Sequence, residues 1–299
     1  MRSTFVDELC KATRAGRDTI LMIGDLGFSV VEPFQEEFPE RFYNLGVAEQ
    51  NMAGAAAGMA SEGFQVFCYS IGNFNTFRCA EQIRNDIDYQ ELPVCTVSVG
   101  GGVSYGSLGY SHHAIQDYAL MRTMPNTVIC APADPLETRL CIQLILERGQ
   151  PSYLRLHKSG EPVITMDSSP ITPGVPRLLF GNPQASVVIL STGFMAHAAL
   201  RLAQSREDVA CYTLPCWGMR FRDSIPDLVR SRDRVITVED HLVDGGFGSW
   251  VLECLAGTPG AGLVTPLGLT ADVVGLVGRE DYIHEAAGLR DLDPGLLGG

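Results

Sequence analysis

A few side chains in this sequence have the type and spacing to do chemistry. Glu49 stands in RFYNLGVAEQNMAGAAAGMASEG (residues 41–63), four residues before a run of alanine and glycine. A carboxyl group there can complement the positive end of a helix. In an apolar site it can instead share a proton with a ligand. His112 and His113 follow a glycine-rich stretch, VSVGGGVSYGSLGYSHHAIQD (97–117); such a pair serves as surface or helix-capping groups, or as acid–base groups near neutral pH. Phe74 and Phe77 in CYSIGNFNTFRCAEQIRNDI (68–87) are core aromatics on a helix face, or rings on which a flat ligand stacks. Arg2, Arg155 and Ser29 are an anion-binding set, or two surface charges and a helix cap. Nine cysteines are scattered through the chain; no two are spaced as C-x-x-C and none pairs with histidine at zinc spacing, so no metal site is expected. They read as buried free thiols, which places the chain in the reducing cytoplasm.

Elements able to position these residues alternate between strand-like and helix-like periodicity. Helix 4–15, strand 19–24, helix 30–37, strand 42–45, helix 48–62, strand 65–69 and helix 74–87 come first. Strand 93–99, helix 115–123, strand 127–130, helix 134–147 and strand 152–156 follow. Such alternation predicts an α/β fold, a parallel sheet covered by helices on both faces. The pattern fails over HKSGEPVITMDSSPITPGVPRLLFGNPQ (157–184), with prolines at Pro162, Pro170, Pro173, Pro176 and Pro183. A second alternation runs through strand 186–191, helix 194–205, strand 209–213, helix 223–230, strand 234–239 and helix 247–256. The expected organisation is therefore two domains, 1–160 and 185–299, joined by a linker over 161–184, with a loosely ordered Gly/Leu-rich tail. Each domain is a mostly parallel sheet flanked by helices.

A formal net charge of −13 and the lack of a Lys/Arg cluster argue against nucleic-acid binding and against adhesion to anionic membranes. The chain opens without a secretory signal, and no apolar run is long enough to span a bilayer.

The segment 41–63 resembles the pyrimidine-binding domain shared by transketolases, deoxyxylulose-phosphate synthases and the beta subunits of 2-oxoacid dehydrogenases. The resemblance implies that Glu49 hydrogen-bonds the aminopyrimidine of thiamine diphosphate, whose thiazolium carbon supplies the reactive carbanion. It also implies that Phe74 and Phe77 stack on the pyrimidine, with Arg78 near the place of a third family aromatic, and that Asp25 in GDLGFS (24–29) lies at the cofactor. Gly109-Tyr110-Ser111-His112 fits a transketolase element in which the histidine faces the donor sugar, with His113 as an added neighbour. Arg2, Ser29 and Arg155 match substrate phosphate contacts. The segments 186–200 and 236–253 resemble the transketolase C-terminal domain, where a structural role is expected for His241.

Two departures stand out: Leu108 replaces a family acid, and Gly100 replaces a second family histidine. The resemblance also covers only the latter half of a full transketolase. The half that holds the diphosphate and Mg2+ is missing, which implies a separate N-terminal partner subunit, with two copies of each chain. The implied activity is transfer of a two-carbon ketol unit from a ketose, often phosphorylated, to an aldehyde or unusual acceptor. The alternatives are the beta subunit of a 2-oxoacid dehydrogenase E1 and a non-catalytic scaffold.

Overall fold

The computed structural model describes residues 1–158 and 160–298. Its first half runs α1 (Arg2–Arg14), β1 (Thr19–Ile23), α2 (Glu32–Glu37), β2 (Phe42–Asn44), α3 (Glu49–Ser61), β3 (Gln65–Ile71), α4 (Ala80–Gln82), β4 (Val94–Val99), α5 (Asp117–Met121), β5 (Val128–Cys130), α6 (Pro135–Arg148) and β6 (Ser152–Leu156). The second half runs β7 (Arg177–Phe180), β8 (Val187–Ser191), α7 (Ala196–Ala203), β9 (Val209–Thr213), β10 (Cys216–Trp217), α8 (Ser224–Val229), β11 (Arg234–Leu242), α9 (Phe247–Cys254), β12 (Val264–Leu269) and α10 (Glu280–Ala286).

Strands β1, β4, β6, β8 and β9 are buried at every position, as expected of parallel strands covered on both faces. One sheet has the order β10-β5-β6-β4-β3-β1-β2 and the other β12-β11-β8-β9-β7. Among the described residues, only the edge pairs β10·β5 and β7·β9 are antiparallel strand pairs. The α/β class and the two mostly parallel sheets agree with the sequence reading.

Local signals explain several element ends. Asp134 accepts from the Glu137 amide at 2.9 Å, Pro135 opens α6, and Gly149 closes it in the left-handed region. The expected helix over 74–87 is broken: residues 77–79 form a 3₁₀ turn, α4 follows, and 83–88 form a π-helical turn. Extra residues in such turns re-aim side chains, and this segment carries Phe77 and Arg78.

Three strands escaped the periodicity. β7 lies inside the expected linker and pairs with β9. β12 lies in the expected loose tail, pairs with β11, and is followed by Ile283, Leu289, Leu292 and Leu297, all buried. The tail is therefore folded, because its leucines fall where they can cover β11 and α7. β10, only two residues long, comes from the second half but completes the first sheet. Beside it, Trp217 packs on Tyr118 and Trp250 with ring centroids 5.2 Å apart in each case. One apolar core thus includes Ile20, Met52 and Tyr118 from the first half with Val188, Trp217 and Trp250 from the second.

Candidate active site

Parallel strands β1, β3, β4 and β6 end along one edge of the first sheet, the edge where α/β proteins bind ligands. Gly24 and Asp25 follow β1, Asn73 and Phe74 follow β3, and Gly100 follows β4. Glu49 opens α3 and is buried, 1% exposed. A Cβ on Gly24 would lie 3.5 Å from Glu49 Oε1 and 3.3 Å from Ser70 Oγ, so the strand end passes close to the carboxylate. Glu49 Oε2 accepts from Arg78 Nη1 at 2.5 Å, while Oε1 is buried without a hydrogen-bond partner. The Arg78 guanidinium lies over the Phe74 ring, 5.0 Å from its centroid. On Phe74 also rests the edge of the His112 ring, centroids 5.3 Å apart. Ser111 Oγ is 2.9 Å from His112 Nδ1. Glu49, Arg78, Phe74 and His112 therefore form one continuous line of contacts. Asn73 braces it by donating to the His113 carbonyl at 2.6 Å.

The other expected residues are placed less uniformly. Phe77 is half exposed and lines an open pocket of ≈ 520 Å³ with Asn73, Tyr110, Ser111, Gln116 and Leu120. Asp25 and Ser29 both adopt left-handed backbone, φ 54° and 65°. Asp25 exchanges hydrogen bonds with the Asn44 side chain at 3.0 and 3.1 Å. The Ser29 amide, ahead of α2, donates to the Glu32 carboxylate at 2.7 Å, while the N-cap position of α2 is Val31. Arg2 opens α1 beside Tyr69.

Two of the expected substrate-binding residues are buried. His113 is fully buried, its ring roughly perpendicular to that of Tyr110, and burial pushes its pKa down; it follows the 3₁₀ turn at 110–112 in extended backbone. Arg155 is 6% exposed and spends its donors within the chain. It bonds Asp117 Oδ2 at 2.7 Å, the Ala114 carbonyl at 2.7 Å and the Asp240 carbonyl at 2.8 Å, with its guanidinium over Tyr118. It ties residues 114–118 of the first half to Asp240 of the second. His241 has the structural role expected of it: it stacks on Tyr118, and burial lowers its pKa to about 4.

Sequence reasoning treated Arg78 only as a lost aromatic; its position four residues after Phe74 on a helical path was the available signal. A second unforeseen group is the trio Cys130, Cys141 and Cys216, all buried, with Cys216 Sγ 3.3 Å from Cys130 Sγ and 3.6 Å from Cys141 Sγ. Their wide separation in sequence hides it. Among the described residues no helix is long and apolar enough to cross a membrane.

Comparison with known proteins gives the family. Residues 1–162 match the family described as transketolase, pyrimidine binding domain, and residues 179–278 the family described as transketolase, C-terminal domain. The chain belongs to the transketolase family. A putative transketolase C-terminal section of Methanocaldococcus jannaschii is 32% identical over 97% of this chain and 92% of its own. One of the subunits of an apulose-4-phosphate transketolase of Actinobacillus succinogenes is 31% identical over 86% of this chain and 83% of its own. A solved structure described as a split gene transketolase, inactive beta4 tetramer, superposes with a TM-score of 0.82 at 30% identity, covering 96% of this chain and 93% of that one. Transketolases are transferases whose cofactor is thiamine diphosphate, and Glu49, Phe74 and His112 lie within the pyrimidine-binding match.

Proposed function

We propose that this chain is the C-terminal subunit of a two-polypeptide transketolase, moving a two-carbon ketol unit from a ketose donor to an aldehyde acceptor. The observation that carries the reading is Glu49: a buried carboxylate with one unpaired oxygen, at a glycine-lined strand end, linked through Arg78 and Phe74 to His112. An orphaned buried acceptor costs free energy unless a ligand completes it, so the residues fit the aminopyrimidine of thiamine diphosphate. When bound, that cofactor supplies the electron sink for cleaving the carbon–carbon bond beside a ketone. Glu49 holds the proton shared with the pyrimidine ring, Phe74 offers the stacking face, and His112 manages hydroxyl protons of the sugar.

Diphosphate and Mg2+ belong to a partner. Among the described residues, the groupings of three ligand side chains close enough to hold an ion are the cysteine trio and Asp240, Glu280 and His284, and neither includes Asp25 or Glu49. The curated relatives of similar length are named as a section or a subunit of a transketolase, which supports an N-terminal partner; the assembly proposed with it has two copies of each chain. A phosphorylated ketose is the first donor to test.

Calorimetric titration of thiamine diphosphate with Mg2+ tests this, on the chain alone and mixed with its genomic neighbour. Binding and ketose turnover only in the mixture are expected, and Glu49→Gln should abolish turnover while leaving assembly intact. Full turnover by Glu49→Gln would sink the mechanism, and tight binding by the chain alone would remove the need for a partner.

A further inference from the structure

Arg78 makes two contacts in this chain, and both are ones the proposed cofactor needs. Its guanidinium bonds the Glu49 carboxylate at 2.5 Å and lies over the Phe74 ring at 5.0 Å. An aminopyrimidine is a flat, nitrogen-bearing ring that would bond the same carboxylate and stack on the same aromatic face. Guanidinium is the protein group closest to it in shape: planar, with hydrogen-bonding nitrogens in its rim and a face that stacks on rings.

We propose that Arg78 is a placeholder for the pyrimidine, so that cofactor binding is an exchange in which the guanidinium leaves Glu49 and Phe74 as the ring arrives. The inference rests on the functional reading above.

Three observations support an exchange over a permanent ion pair. Glu49 is 1% exposed while the Arg78 side chain is 43% exposed, so one partner is fixed and the other has a route out to solvent. Arg78 sits in the 3₁₀ turn at 77–79, just before a short α-turn and a π-turn, a stretch of irregular helix rather than a rigid one. Glu49 Oε1 has no partner even with Arg78 in place, so the arginine only half satisfies the carboxylate. Without any occupant, Glu49 would be a buried charge with no partner, a strongly destabilising state. Arg78 thus protects the free chain and competes with the ligand in the same place.

The test is Arg78→Met, which removes the charge and the planar fork but keeps the length, and Arg78→Lys, which keeps the charge alone. Each is mixed with the partner chain and titrated calorimetrically with thiamine diphosphate and Mg2+; the melting temperature is followed with and without ligand. A placeholder makes the free assembly of Arg78→Met less stable than wild type and its Kd at least tenfold lower, because binding no longer displaces anything. Arg78→Lys should fall between the two, and it carries the test if the Met variant folds poorly. An unchanged or higher Kd in a folded variant overturns the placeholder: Arg78 would then merely orient Glu49 or bind the cofactor itself. Failure of the wild-type assembly to bind overturns the functional reading beneath it, which separates the two failures.

Discussion

Gly100 follows β4 with φ +76°, and a methyl group built on it would lie 2.1 Å from the Tyr105 ring. Tyr105 thus fills the space that a side chain at position 100 would need. Gly100→Ala combines left-handed strain with a clash, and should cost about 2–5 kcal/mol in the urea midpoint analysis. Gly16→Ala, at φ +90° with nothing within 4 Å of the new methyl, should cost only the strain, about 1–2 kcal/mol. Arg155→Met should lose about 3–5 kcal/mol of stability, since it leaves Asp117 buried without its cation; a substrate-binding role would instead raise KM and leave the melting temperature unmoved. Glu49 was legible because its small-residue helix is written beside it. The partners of Arg155 were not legible, because sequence spacing gives a residue's place along a strand but not what its side chain meets across the domain seam.

At the scale of elements, the end of β6 meets α10 through imidazoles. His157 lies 3.2 Å from Glu161 and 2.6 Å from Glu280, and stacks on Phe194; His284 lies 3.0 Å from Asp240. Burial works to lower both histidine pKa values, but the carboxylates outweigh it and both are raised. The folded state thus binds protons more tightly than the unfolded chain, and these pairs stabilise fully below about pH 6.5. That contribution is lost as pH rises through the folded values. Glu137 and Glu239, raised to about 8 by burial, act in the same direction, because the unfolded chain releases their protons first. Melting temperature should therefore fall between pH 6.5 and 8, and His284→Gln should flatten part of that slope; a rising curve would contradict the assignment. None of this was visible beforehand, since α10 lies in the stretch whose glycines read as a loose tail. Strands β1 and β8 were legible because they are buried on both faces and read as nearly continuous apolar runs. β10 was not, because two residues carry no period.

Across the whole molecule, the two family matches describe two domains, yet the chain crosses between them. β10 returns from the second half to the first sheet, and Trp217 and Trp250 share a core with Ile20 and Met52. Unfolding should therefore be a single cooperative transition, with fluorescence and circular dichroism curves that coincide. A fragment ending at residue 184 should be poorly soluble, because it exposes β5 as an unpaired edge; size-exclusion chromatography of that fragment checks this. Two separate transitions, or a monodisperse fragment, would show that the halves fold independently.

The borrowed strand also sets an order of events during synthesis. Cys130 on β5 and Cys216 on β10 are 86 residues apart. At roughly 5–20 residues per second, a ribosome takes roughly 4–17 s to cover that interval. Until then the nascent chain carries β5 with a bare rim and two of its three clustered thiols, so translation speed between these positions governs how long the growing polypeptide remains vulnerable to sticking and oxidation.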